Sequence, residues 1–77
     1  MSKTTQFRDM TRRRNIEFAR VGMLVTVDGC PGRITGSNYS DNLNVTFIGD
    51  RFSTNCHPHW KITYFDTDGS VIKKYED

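Results

Sequence analysis

Cysteine, proline and long apolar stretches are scarce in this 77-residue chain, and each scarcity removes a class of protein. Cys30 and Cys56 are too few for a disulfide scaffold and read as thiols in a reducing compartment. No apolar run approaches the roughly eighteen residues of a membrane span, and the first residues hold no apolar segment of signal-peptide length, so the cytoplasm is the expected compartment. Pro31 and Pro58 are the only prolines, which excludes a proline-rich linker or ligand. Apolar residues make up only 35% of the sequence. A chain this short buries about 60% of its unfolded surface, so one small domain is expected, using nearly every apolar residue it has.

What is present is a charge asymmetry and a high aromatic share. Residues 1–20 carry Lys3, Arg8, Arg12, Arg13, Arg14 and Arg20 against Asp9 and Glu17, a local charge of +4. Residues 21–77 carry five basic against seven acidic residues, a local charge of −2. Basic arms on mildly acidic bodies commonly meet polyanions. Aromatic residues make up 12% of the chain, and Phe7, Phe18, Phe47, Phe52, Trp60, Phe65 and the three tyrosines are expected to carry much of the packing.

From Val21 onward, alternating apolar residues are broken by turn signals every eight to twelve residues, as in a small barrel or sandwich. Met23 to Asp28 reads as a half-buried strand with Met23, Val25 and Val27 on one face. Asp28-Gly29-Cys30-Pro31-Gly32 reads as a turn, because two glycines and a proline favour unusual backbone angles. Arg33 to Thr35 is a short second strand, Gly36 to Asn42 a polar loop, and Leu43 to Phe47 the cleanest alternating strand. Phe52 to Asn55, Trp60 to Phe65 and Val71 to Tyr75 complete the set, with Trp60, Ile62 and Tyr64 expected inward and Asp66 to Ser70 as a hairpin connection.

Residues 1–20 are read as a basic arm ahead of a barrel domain over 21–77. Phe7, Met10, Phe18 and Val21 suggest a short helix over 6–19, although Arg14 occupies an apolar place in its stripe and Ile16 lies off it. Lys3-Thr4-Thr5 is expected to be disordered, with Ser2 or Thr5 available as a helix cap.

The sharpest chemical feature is Thr11-Arg12-Arg13-Arg14-Asn15, since adjacent guanidiniums offer forked donors matched to phosphate oxygens and can stack on bases. With Lys3, Arg8 and Arg20 they form a candidate surface for nucleic acid or an acidic partner. A solvated tail, or a clamp onto the acidic body of the same molecule, is the alternative use of the run, ranked behind a polyanion or acidic-protein contact. Tyr39 and Phe65 are the aromatic residues expected on the surface as partner contacts.

Cys30, Cys56, His57 and His59 are nominal zinc ligands, but Cys30 stands alone and Cys56 and His57 are neighbours that project oppositely from an extended chain, so no metal is expected. The same adjacency argues against a Cys56/His57 dyad, and no enzyme, cofactor or small-molecule substrate is expected. Asp66-Thr67-Asp68-Gly69 opens like a calcium loop but lacks the distal ligands, and reads as a hairpin turn.

The pattern Val21-Gly22-Met23-Leu24-Val25-Thr26-Val27-Asp28-Gly29, then Pro31-Gly32-Arg33-Ile34-Thr35-Gly36, then Leu43 to Phe47, resembles an SH3-like barrel of the KOW type across residues 21–65. Asn55 to Asp66, with Asp68-Gly69 after it, looks like small proteins carried by tailed bacteriophages. The Thr-Arg-Arg-Arg run is locally similar to arginine-rich RNA-binding segments of phage antitermination proteins. These resemblances imply a mainly β fold of five to six short antiparallel strands. They also imply binding of RNA, DNA or a protein surface through loops and exposed aromatics, with no catalytic set. The acidic body departs from nucleic-acid-binding KOW modules. The expectation is a phage-type interaction protein that binds and modulates a host macromolecule. The alternative is a nucleic-acid-binding module whose arginines grip phosphates. Either would act as a monomer or weak homodimer without a membrane partner.

Overall fold

A computed structural model describes the backbone of residues 3–76 and the side chains of residues 5–76. It is mainly β, as the alternation predicts: a short helix, α1 (Lys3–Arg13), precedes six strands, β1 (Leu24–Val27), β2 (Cys30–Ser37), β3 (Leu43–Phe47), β4 (Thr54–Cys56), β5 (Ile62–Phe65) and β6 (Val71–Lys74). The strands form one antiparallel sheet in the order β4-β3-β2-β1-β5-β6, curled into a small barrel-like body. Among the described residues no helix is long and apolar enough to cross a membrane.

Local chemistry sets the connections. β1 and β2 are joined by two residues, Asp28 and Gly29, with φ of 51° and 83°, between the paired Val27 and Cys30. That is a type I′ hairpin, whose twist matches the strands. The turn is therefore shorter than the expected 28–32, and Pro31 lies inside β2, where its carbonyl accepts the Ile48 N–H at 3.1 Å. Gly32 is held by space: a Cβ there would stand 2.8 Å from Val45 Cγ1 and 2.9 Å from the Thr46 carbonyl. Further along β2, the pairing with β3 slips between Ile34 and Gly36, so Thr35 bulges from the ladder.

The core comprises Phe7, Met10, Ile16, Ala19, Val25, Val27, Ile34, Leu43, Val45, Cys56, Ile62 and Tyr64. Each large aliphatic side chain so buried stabilises the fold by about 1.5–3 kcal/mol. The first twenty residues supply four of these side chains, so the boundary expected at residue 20 does not divide the core. Packing falls mainly to aliphatics. Of the aromatics only Phe7 and Tyr64 are buried, Tyr64 fully, while Tyr39, Phe52 and Trp60 are exposed. Trp60, expected inward, is 44% exposed because β5 begins only at Ile62 and Lys61, at φ 47°, breaks the alternation ahead of it.

The helix also corrects its expected bounds. It runs from Lys3 to Arg13 rather than over 6–19, and takes in the Lys3-Thr4-Thr5 segment expected to be disordered. Ser2, the other cap candidate, lies outside the described residues. The helix stops in a Schellman motif: Asn15 adopts φ 59°, Ile16 N–H bonds the Thr11 carbonyl at 2.8 Å, and Asn15 N–H bonds that of Arg12 at 3.3 Å. This reversal throws Ile16 into the core, where a continued helix would have left it off the apolar stripe.

Candidate functional site

On α1, inward positions are Phe7, Met10 and Thr11, and the buried Thr11 hydroxyl donates to the Arg8 carbonyl at 2.8 Å. At 100° per residue the arginines that follow separate onto different sides of the helix. Arg13 makes a bidentate pair with Asp41, Nε to Oδ2 at 2.7 Å and Nη2 to Oδ1 at 2.8 Å. The hydrogen bond to Arg13 holds the Asp41 carboxyl below the usual carboxylate range, and Asp41 in turn raises Arg13. Arg14, in the place where the stripe lacks an apolar residue, reaches the same loop: its Nε donates to the Asp41 carbonyl at 2.8 Å, and its Nη2 to the Ser40 carbonyl and Asn42 Oδ1, both at 3.3 Å. The receiving loop is organised by Asn38, whose Oδ1 accepts the N–H groups of Ser40 and Asn42. Two of the three consecutive arginines are thus clamped onto the body.

Arg8, Arg12 and Arg20 go elsewhere. They line a groove of about 720 Å³ between α1 and β2, whose far wall is Thr35, Gly36, Ser37 and Asn44. Arg20 is fixed by Nη1, which donates to the carbonyls of Glu17 at 2.6 Å and Ala19 at 2.9 Å. The guanidiniums of Arg8 and Arg12 are exposed and have no hydrogen-bond or ion-pair partner among the described residues. Glu17 is the one carboxylate on the groove among the described residues. Asp28 and Asp50 sit at the opposite end of the sheet, beside the β1–β2 turn and after β3. The Lys3 side chain lies outside those described.

The other candidates are dispersed. Tyr39 is fully exposed on the β2–β3 loop, whereas Phe65 is half-buried in a mostly apolar cleft with Phe18, Met23 and Ile72. Sequence reasoning passed over Ile48, 73% exposed, whose N–H donates to the Pro31 carbonyl at the end of the sheet near the β1–β2 turn. Phe52, 81% exposed, follows on the β3–β4 loop, and Trp60 precedes Lys61, whose carbonyl accepts the Asp28 N–H of that turn. Among the described residues no three His, Cys, Asp or Glu side chains gather as a metal site. Cys30 is exposed and Cys56 buried, where desolvation pushes its thiol up. Asp66 to Ser70 forms the β5–β6 hairpin connection, with Asp68 accepting from the Ser70 hydroxyl at 2.6 Å.

The histidines hold the helix end. His59 Nε2 lies 2.7 Å from the Arg14 carbonyl, so it carries the proton and donates, and the ring stacks on Tyr75 at 4.7 Å. His57 Nδ1 accepts the His59 N–H at 3.1 Å, and desolvation, with the positive charge of Arg14, lowers His57 from its ordinary value. Tyr64, buried beneath, donates its hydroxyl to the Pro58 carbonyl at 2.7 Å.

No protein family, curated protein or solved structure matches this chain.

Proposed function

We propose that this chain is a non-enzymatic interaction module that engages an anionic surface of a partner macromolecule at the groove between α1 and β2. The observation that carries this reading is the convergence of Arg8, Arg12 and Arg20 on one groove while Arg13 and Arg14 are spent inside the molecule. Guanidiniums held open on a folded surface retain their forked donors for an incoming ligand. The resemblance of residues 21–65 to KOW-type barrels supports a binding role. That of residues 55–66 to phage-borne proteins supports action on a host macromolecule in the host cytoplasm.

Heparin, a generic polyanion, tests the site. Arg8→Ala/Arg12→Ala should elute from immobilised heparin at clearly lower salt than Arg51→Ala/Lys61→Ala, which removes the same charge away from the groove. Equal elution would show that overall charge, not the groove, governs retention.

A protein contact at the opposite end is a second reading, favoured by the exposed Ile48, Phe52 and Trp60. Isolated exposed apolar residues are ordinary, but three at one end mark a surface fit for partner contact.

A further inference from the structure

We infer that the groove takes the phosphate backbone of a nucleic-acid strand, an assignment that rests on the anion-binding reading above and names its ligand. Arg8 and Arg12 are one turn apart on α1, so their Cβ atoms lie about 5–6 Å from one another, a spacing that successive phosphates of a strand can follow. Arg20 lines the same groove with its head already fixed: Nη1 is used on the Glu17 and Ala19 carbonyls, which leaves Nε and Nη2 for a phosphate oxygen. A pre-positioned guanidinium loses less freedom on binding than a mobile one.

The far wall separates a nucleic acid from an acidic peptide. Bulged Thr35, Ser37 and Asn44 bring neutral polar groups, and Gly36 has nothing within 4 Å of where a Cβ would stand, so the wall is open at that point. Glu17 adds a carboxylate to the same groove. The side chains of an acidic peptide present only acceptors and would set their carboxylates against Glu17. A nucleotide presents charged acceptors together with hydroxyl and amino donors, which match Glu17 as well as the arginines. The one aromatic ring on the groove, Phe7, is buried, so bases have no stacking platform and the grip falls on the backbone with little sequence preference.

Fluorescence anisotropy with a labelled mixed-sequence 12-nucleotide RNA, and in parallel a labelled oligoglutamate peptide of equal length, tests this on the full chain. Three phosphate contacts predict that log K falls with log salt at a slope of about −2 for the RNA. Arg8→Ala/Arg12→Ala should weaken RNA binding by about tenfold or more at low salt and flatten the slope. Arg8→Lys/Arg12→Lys should keep the slope but lose part of the affinity, because the charge stays while the fork goes. Circular dichroism of each variant verifies folding. RNA binding that ignores these substitutions overturns the assignment. Peptide binding without RNA binding overturns it too, yet leaves the anion-binding reading standing, and binding of neither probe removes both.

Discussion

Arg12 and Arg13 are neighbours in the chain, yet their side chains belong to different parts of the molecule. Arg13 and Arg14 are tied to the Ser40–Asn42 loop, whereas Arg8 and Arg12 stand open beside the groove. One flank of the helix is therefore structural and the other is available. The difference teaches that a run of like charges is parted by helix geometry, and that its members need not share a role.

The deepest test of this contrast removes the residue that ties the segment down. Ile16→Ala, at a fully buried position, should destabilise the domain by about 2–5 kcal/mol in urea unfolding. A loss below 1 kcal/mol would mean that the N-terminal segment is not built into the core. Arg14→Ala should cost about 1–2 kcal/mol by leaving loop carbonyls without their donor. Loop amides of residues 40–42 should then gain hydrogen exchange, and unchanged protection there would break the clamp.

A smaller effect follows from His57. Its folded-state value is lowered, so the unfolded chain binds the proton first and stability is complete above the ordinary histidine value of about 6.5. Stability is then lost as pH falls through that value towards the lowered one, as protonation removes the acceptor that His57 Nδ1 offers the His59 N–H. Melting temperature should drop between pH 7 and pH 5, and less so in His57→Asn, which keeps an acceptor without titrating. Identical profiles would locate the pH dependence elsewhere. At the other extreme, Arg8→Ala/Arg12→Ala should leave thermal stability within about 0.5 kcal/mol of the parent, as for surface positions without partners. A large loss there would erase the distinction between the two flanks.

Much of the fold is legible before any coordinates. Leu43 to Phe47 is a strand in sequence and in structure, because alternation against a one-sided core leaves little freedom. Errors gather where a local backbone conformation resets the phase. Asn15 and Lys61, both at positive φ, turn Ile16 inward and Trp60 outward, and a single-sequence pattern does not reveal such reversals. Asp28-Gly29 was readable as a two-residue hairpin. Pro31 reads as part of the turn in the sequence, yet it pairs with Thr26 inside β2, since a proline missing one donor still fits a strand where that donor is not needed. As for the site, the spacing of Arg8 and Arg12 at i and i+4 was visible in the sequence. The pairing of Arg13 with Asp41 spans 28 residues of chain and depends on the folded sheet.

The His59 ring that closes the last turn of α1 comes from a position 45 residues further along the chain than the carbonyl it holds. An eleven-residue helix is marginal in isolation, so its arginines acquire their arrangement only once the later strands have assembled. Thermodynamic linkage follows. Any ligand that requires that arrangement must raise the melting temperature of the whole domain, and by an amount that grows with the logarithm of its concentration.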